Sequence, residues 1–465
     1  MPQNTSTFMS GPSPMSRRLF LTTTGALSLG AALTACGGND SGGSAGSGKP
    51  VGQADIDKAM KTPTELTFWT WVPNMDKEVA LFEKRYPAIK VKVVNAGQGT
   101  PQYTKLRTAL KAGSGAPDMV QIEYQAIPTF TITDSLLDLR PYGAAALKST
   151  FVDWTWSQVS GNDGEIWAIP QDTGPMGMLY RQDIFDQHGI EVPGTWDEFA
   201  AAARKLHKAD PDVYLTNLAA NQVAAWHGLL WQAGAKPYVT SGKGDITISV
   251  DDSVSQKLGA YWGGLAKEGV IGVEPDFTDS WYAALNKGKY ATWITAAWGP
   301  VFLSGSAKAT AGKWRAAPLP QWDAAKPSSG NWGGSTTAVI RSTKNPVAAA
   351  VFAQFLNTDP ASARMFATEQ FFFPATKSLL TDAEFVSDAP SFYGGQKVNQ
   401  VFADIGSTVN SSFQWPPFLD QAATDWTETV GKSLADRTDT VRALGTWQSR
   451  LTSYAKNQGF TVKGS

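Results

Sequence analysis

Hydrophobic and polar positions from Glu65 onward follow two periodicities in turn, one typical of strands and one typical of helices. The predicted elements, in chain order, are a strand over 66–71, a helix over 76–86, a strand over 89–93, a helix over 103–110 and a strand over 119–122. Strands that alternate with helices in this way favour a parallel sheet with right-handed crossovers. The first third of the chain therefore predicts an α/β unit.

Polar and aromatic side chains stand where the predicted strands end. They are Trp71, Gln98, Glu123, Tyr124 and Gln125. Ligands of open α/β sheets bind at the carboxyl ends of the strands. An indole face combined with carboxylate and amide groups suits a ligand that carries many hydroxyls, so we predict that these residues bind ligand.

The rest of the chain is richer in helical patterns. Thr195 is predicted to cap a helix that begins at Trp196, because Glu198 stands at the third helical position and completes a capping box. Further helical patterns cover 254–267, 278–286, 344–356, 361–368 and most of 420–457. The sequence therefore predicts a second region in which helices dominate.

The first 35 residues have the pattern of an export signal. Arg17 and Arg18 precede an apolar run, 19–33, that is too short and too polar for a bilayer span of about 20 residues. The run ends in the motif LTAC at Cys36, which resembles the lipobox of bacterial lipoproteins. We expect a twin-arginine-type signal, with the general secretory route as the alternative, followed by lipidated Cys36 and a flexible linker over 36–61.

Composition narrows the classes of function. The 40 basic and 41 acidic side chains give a formal net charge of -1, which disfavours nucleic acid as a partner. Cys36 is the only cysteine and the 3 histidines lie far apart, so we predict no metal site and no cofactor. The chain has 18 tryptophans, and several of them stand in predicted loops rich in Gly and Pro, where core packing explains them less well. Exposed indoles of that kind suit the apolar faces of sugar rings.

Short motifs in a fixed order resemble a known family. They are GAPDM at 115–119, LDL at 137–139, GEIWAIP at 164–170, LYR at 179–181, PGTWDEF at 193–199, AWGP at 297–300 and FPA at 373–375. In order and spacing they resemble the extracellular solute-binding proteins of family 1, the maltose-binding-protein-like components of carbohydrate ABC importers. The resemblance covers the chain from Glu65 to its C-terminus.

The resemblance implies a type II periplasmic-binding-protein-like fold of the α/β class. Each of its two lobes is expected to hold a mostly parallel sheet flanked by helices, with the ligand in the cleft between the lobes. The expected bounds are 62–171 with 331–376 for lobe 1, and 172–330 with 377–465 for lobe 2. The chain should cross between lobes near Asp172, before Trp332 and near Pro374.

The family motifs also imply ligand contacts in this sequence. The acid at the first crossover corresponds to Asp172, with Gly174 as the alternative alignment. The stacking aromatic of the family's Gly-Pro-Trp motif corresponds to Trp298, although the order here is Trp-Gly-Pro. Trp226, Trp332 and Trp415 complete the predicted ligand-binding residues.

These inferences predict a non-enzymatic, monomeric lipoprotein on the outer face of the bacterial cytoplasmic membrane. It would capture a sugar, with an oligosaccharide as the preferred class, and deliver it to the permease of an ABC transporter. The alternatives are a secreted glycoside hydrolase, which could use Glu123 and Asp172 as its carboxylate pair, and a cell-surface carbohydrate-binding protein without a transport function.

Overall fold

The computed structural model describes residues 49–242 and 244–463, so the predicted signal and lipidation residues Arg17, Arg18 and Cys36 lie outside the described part. The strands are β1 Thr64–Trp69, β2 Ile89–Val94, β3 Met119–Glu123, β4 Ala168–Pro170, β5 Met176–Arg181, β6 Tyr238–Ser241, β7 Asp245–Ile248, β8 Thr292–Ala296, β9 Trp314–Pro318, β10 Ser335–Val339 and β11 Thr461–Lys463. The α-helices are α1 Gln53–Lys61, α2 Asp76–Arg85, α3 Thr100–Ala112, α4 Ile127–Thr131, α5 Asp153–Val159, α6 Gln182–His188, α7 Trp196–Ala209, α8 Val223–Gln232, α9 Ser253–Glu268, α10 Asp279–Lys287, α11 Gly299–Ser306, α12 Pro346–Thr358, α13 Pro360–Thr368, α14 Lys377–Leu380, α15 Ala383–Ser387, α16 Val398–Gly406, α17 Leu419–Trp426, α18 Lys432–Ala435 and α19 Thr440–Asn457.

Helix boundaries follow from capping residues in the sequence. The Thr195 hydroxyl accepts the Glu198 backbone N–H at 3.2 Å, and the Glu198 carboxylate accepts the Thr195 N–H at 3.0 Å, which confirms the predicted capping box of α7. The Thr278 hydroxyl caps α10 by accepting the N–H of Trp281. The Asp359 side chain caps α13, which separates that helix from α12.

Lobe 1 is the unit built on a five-stranded sheet with the order β2-β1-β3-β10-β4. β1 pairs in parallel with both β2 and β3, which confirms the strand–helix–strand pattern predicted for 66–122. β10 is antiparallel to β3 and to β4, and it joins this sheet after the chain has returned from the other lobe. Phe68, Phe82 and Phe352 pack edge to face beneath the sheet, with ring centroids 4.9–5.6 Å apart.

Lobe 2 is the unit built on two three-stranded sheets, β8-β5-β9 and β11-β7-β6, with the remaining helices around them. β5 is antiparallel to both of its neighbours, so the expectation of a mostly parallel sheet is wrong for this lobe. Several helices separate β5 from β8 along the chain. The order of elements in the sequence does not determine whether the strand after such a long connection runs parallel or antiparallel to the first. Trp196, Phe199 and Trp262 lie in the core of this lobe.

The predicted flexible linker over 36–61 is too long at its C-terminal end. Residues Gln53–Lys61 form helix α1, and Met60 on that helix is buried in the core of lobe 1. An apolar side chain at this position makes helix packing more favourable than solvation. The lobe bounds expected at the three crossovers stay a prediction.

Three segments connect the lobes and lie side by side. The Gly174 carbonyl accepts the Trp332 N–H at 2.8 Å, and the Gly174 N–H donates to Oδ1 of Asn331 at 2.8 Å. The Thr173 N–H donates to the carbonyl of Phe373 at 2.8 Å. A Cβ atom on Gly174 would stand 2.0 Å from the Trp332 carbonyl oxygen, so only glycine permits this approach.

Candidate functional site

The edge of lobe 1 that faces lobe 2 carries a half-buried carboxylate at the end of β3. The Tyr103 hydroxyl, on α3, donates to Oε2 of Glu123 at 3.0 Å and accepts the Glu123 backbone N–H at 3.0 Å. Burial raises the pKa of Glu123, against hydrogen bonds from Tyr103 and Gln125 that lower it. The Trp71 ring lies 6.3 Å from the Tyr103 ring. The structure thus brings Trp71, Glu123 and Gln125 together around Tyr103.

Gln98 lies on the loop between β2 and α3, and its side chain is exposed. The neighbouring Gly99 has a φ of 60°, and a Cβ atom there would lie 3.7 Å from Oε2 of Glu123. The loop therefore passes beside the carboxylate, as the positions at the strand ends predict. The sequence does not predict Tyr103 as a ligand residue, because its spacing places it on the buried face of the predicted helix.

Asp172 lies at the first crossover and is buried. Its Oδ1 accepts the backbone N–H of Ser335 at 2.9 Å, and its backbone carbonyl accepts the Tyr124 hydroxyl at 3.1 Å. Burial raises the pKa of Asp172 to about 7, the Ser335 hydrogen bond opposes that rise, and the nearby Glu123 charge adds to it. Tyr124 and Asp172 therefore hold the crossover against lobe 1. This is the structural role that the sequence leaves open for Asp172 as the alternative to ligand binding.

Lobe 2 presents an aromatic cluster where β8 ends. Nε1 of Trp298 donates to the carbonyl of Trp332 at 2.7 Å, and the two rings are 4.8 Å apart and nearly perpendicular. Phe277 lies 6.1 Å from Trp298 and 6.3 Å from Trp332, while Phe302 lies 5.6 Å from Trp298. We call Phe277, Trp298, Phe302 and Trp332 the aromatic cluster.

Two members of the aromatic cluster are exposed, Phe277 by 37% and Phe302 by 48%. Phe277 also has a φ of 56°, a left-handed conformation that is strained for a residue with a bulky side chain. Strain of this kind is concentrated at functional sites. Sequence patterns missed both phenylalanines, since neither the backbone angle nor the exposure of a loop aromatic can be read from spacing.

Trp226 and Trp415 occupy more enclosed positions than the sequence predicted. Trp226 on α8 is 1% exposed and packs on Trp426 at 6.1 Å. Trp415 is 5% exposed and packs on Trp231 at 6.2 Å. The correction is clearest for Trp226, which the structure places in the core of lobe 2 because α8 is apolar on nearly every face.

Trp154 on α5 links the aromatic groups of the two lobes, and no pattern along the chain indicates this. Its ring lies 6.0 Å from Tyr124 of lobe 1 and 5.9 Å from Trp231 of lobe 2. Trp231 in turn stacks on Phe413 at 4.6 Å. Nε1 of Trp154 and Nε1 of Trp415 are buried and have no hydrogen-bond partner among the described residues. Such donors are costly unless a ligand or solvent satisfies them.

The described residues include no group of three side chains placed to hold a metal ion. His227, a buried histidine on α8, contacts Tyr238 through Nε2 at 3.3 Å, and burial lowers its pKa to about 4. Across 49–242 and 244–463, none of the helices combines the length and the apolar character needed to cross a membrane.

Two lobes, three connecting segments and facing polar and aromatic groups define a two-lobed solute-binding protein. The family described as bacterial extracellular solute-binding protein matches residues 69–363, and this chain belongs to that family. The predicted family and the two-lobed fold class are confirmed.

Relatives and solved structures extend over most of the chain. An arabinooligosaccharide-binding protein of Halalkalibacterium halodurans is 24% identical over 77% of this chain and 81% of its own length. The ABC transporter associated binding protein of B. animalis subsp. lactis, solved with β-1,6-galactobiose, is 32% identical with a TM-score of 0.73, and the match covers 86% of this chain and 99% of that one. The galacto-N-biose-/lacto-N-biose I-binding protein of the ABC transporter of Bifidobacterium longum, solved with lacto-N-biose, is 25% identical with a TM-score of 0.74, covering 86% and 98%.

Proposed function

We propose that this protein captures a sugar, with an oligosaccharide as the preferred class, between its two lobes and delivers it to the permease of an ABC transporter. The observation that carries the proposal is the pairing of two different surfaces. Lobe 1 offers Glu123, Gln125 and the Gln98 loop, while lobe 2 offers the aromatic cluster. A sugar ring has hydroxyls at its rim and apolar C–H faces, so it needs both kinds of surface.

The chemistry of the side chains suits neutral, hydroxyl-rich ligands. The Glu123 carboxylate accepts hydrogen bonds from hydroxyls, and charge-assisted bonds of this type are the stronger kind. The names of the relatives support the class of ligand, since three of them refer to oligosaccharides or disaccharides.

We expect binding without catalysis. Glu123 and Asp172 lie near one another and would be the carboxylates of a glycoside hydrolase, but each already holds a protein partner. The Glu123 carboxylate accepts the Tyr103 hydroxyl, and the Asp172 carboxylate accepts the Ser335 N–H. An assay for released reducing sugar tests this proposal, and turnover that Glu123→Gln abolishes would establish the hydrolase instead.

The family and the N-terminal sequence support a location on the outer face of the cytoplasmic membrane. The family is named for extracellular proteins, and the predicted lipobox at Cys36 would tether this member to the outer face of the membrane. A tethered monomer beside its permease would raise the effective concentration of loaded protein at the transporter.

A thermal-shift screen tests the proposed ligand class. The probes are β-1,6-galactobiose, lacto-N-biose, lactose, arabinooligosaccharides and maltose, with glycerophosphocholine as a non-sugar comparison. A sugar that binds only the folded state adds about 2.7 kcal/mol of stability at 100 times its Kd. We expect at least one sugar to raise Tm, and a shift with glycerophosphocholine alone would contradict the proposal.

Matched variants locate the binding site. Trp298→Ala should abolish most of the ligand-induced shift, because it removes the centre of the aromatic cluster. Trp167→Ala is the control, since Trp167 is also half-buried but stands just before β4, at the end of that strand away from the crossover. Equal losses in both variants would place the ligand elsewhere.

A further inference from the structure

An ion pair joins the two lobes beside the candidate site. Nη2 of Arg107 donates to Oδ2 of Asp420 at 2.8 Å. Arg107 lies on α3, whose Leu106 is buried in the core of lobe 1. Asp420 lies in the first turn of α17, whose Ala422 and Trp426 are buried in the core of lobe 2. The pair therefore connects two bodies that have separate cores.

The pair lies close to the carboxylate of the site. Arg107 is one helical turn after Tyr103, whose hydroxyl bonds to Glu123. Burial and the Glu123 charge raise the pKa of Tyr103, and the Asp420 charge adds to the rise, which agrees with a position of Asp420 at the rim of the site. Movement of α17 away from α3 would therefore separate the ion pair and widen access to Glu123.

Ion pairs also join the predicted lobes close to the third crossover, Lys377–Asp153 at 2.8 Å and Arg364–Asp382 at 2.7 Å. Two other contacts between the lobes are neutral. Nε2 of Gln158 donates to the carbonyl of Phe413 at 2.8 Å, and Nδ2 of Asn162 donates to the carbonyl of Thr240 at 3.0 Å. Side chains of Arg107 and Asp420 are 38% and 51% exposed, so salt in the solvent reaches them. Asp420 also stands in the first turn of α17, where the helix dipole favours a negative charge.

We propose that Arg107 and Asp420 form a reversible, salt-sensitive latch that biases the two lobes toward the closed arrangement. The latch acts on the equilibrium between open and closed forms, because the ion pair exists only when the lobes meet. One consequence of the latch rests on the proposed function, namely that a captured sugar dissociates more slowly at low ionic strength. The bias itself belongs to the ligand-free protein.

Distances between spin labels test the latch without any ligand. Cysteines placed at Lys84 in lobe 1 and Ala260 in lobe 2, both exposed, carry the labels in a full-length chain with Cys36→Ser. At low salt, Arg107→Gln should lower the ratio of closed to open protein by about threefold, within the range that exposed ion pairs give. Asp420→Asn should do the same, and 1 M salt should bring the parent protein to the level of the variants.

Two controls make the result specific. Arg204→Gln removes an ion pair with Glu268 that is similarly exposed but lies within lobe 2, and it should leave the distances unchanged. Exchange of the charges, Arg107→Glu with Asp420→Arg, should restore the closed fraction. The latch is refuted if Arg107→Gln and the parent protein give the same distance distribution at low salt, or if Arg204→Gln shifts it equally. Because no sugar is used, a failed ligand screen would leave this result intact.

Discussion

Replacement of Asp172 by Asn should stabilise the ligand-free protein at pH 8 and destabilise it at pH 4, where the carboxyl is already neutral and only the cost of the unpaired amide N–H remains. Burial raises the pKa of Asp172 to about 7, so at pH 8 the folded protein must hold a buried negative charge. Asparagine has almost the same shape, keeps an oxygen to accept the Ser335 N–H and carries no charge. The substitution therefore removes the cost of ionisation and keeps the contact with lobe 1.

The magnitude follows from the linkage between protonation and folding. A pKa of about 7 in place of the ordinary 3.8 corresponds to about 4 kcal/mol at 1.36 kcal/mol for each pH unit. The folded protein binds more protons than the unfolded chain between those two values, so the contribution of Asp172 to stability falls as pH rises from about 4 to about 7. An amide N–H without a partner costs about 1–3 kcal/mol, which leaves a net gain of about 1–3 kcal/mol at pH 8.

Urea unfolding followed by tryptophan fluorescence measures this effect. The informative quantity is the difference in free energy of unfolding between Asp172→Asn and the parent protein at pH 8, compared with the same difference at pH 4. Subtraction of the parent removes the contributions of other groups, including His227. Asp279→Asn, at an exposed acid in the first turn of α10, is the control and should show no gain at pH 8.

One result would refute the reasoning. The reasoning fails if the free energy of unfolding of Asp172→Asn, relative to the parent protein, does not rise from pH 4 to pH 8. Ionisation of Asp172 would then not destabilise the folded protein. The same variant separates two roles of this residue. A tenfold weaker sugar affinity, about 1.4 kcal/mol, with the stability gain intact would show that Asp172 also contacts ligand.

Four further outcomes are expected. Tyr103→Phe should lower the free energy of unfolding by about 1–3 kcal/mol in urea titrations, because it removes the hydroxyl that bonds Glu123. Burial lowers the pKa of His227 to about 4, so between pH 6.5 and pH 4 this histidine takes up a proton mainly in the unfolded chain, and the parent protein loses about 3 kcal/mol of stability as the pH falls. His227→Gln should not show this loss in urea titrations at the two pH values. Phe277→Ala should weaken sugar binding in fluorescence titrations by about 1–3 kcal/mol if the exposed ring stacks on the sugar, and unchanged affinity would remove it from the site. Cys36→Ser should release the protein from the membrane fraction, and fractionation like the parent would contradict lipid anchoring.

The sequence by itself determined the elements of lobe 1 and many helix ends. Period-two positions around Val91 and the cap at Thr195 act through neighbours along the chain, so their effect can be read from local spacing. The ends of parallel strands must share one edge of the sheet. For this reason the order of strands and helices along the chain is enough to place Trp71, Glu123 and Gln125 near one another.

Tertiary structure alone decided which residues meet across long separations in the chain. Spacing does not reveal that Asp172 would hold the N–H of Ser335, that Trp154 would contact both Tyr124 and Trp231, or that α17 would bring Asp420 to Arg107. These contacts depend on how the three crossovers set one lobe against the other. The burial of Trp226 has the same origin, because an indole exposed on an isolated helix is covered only when the helices around it pack.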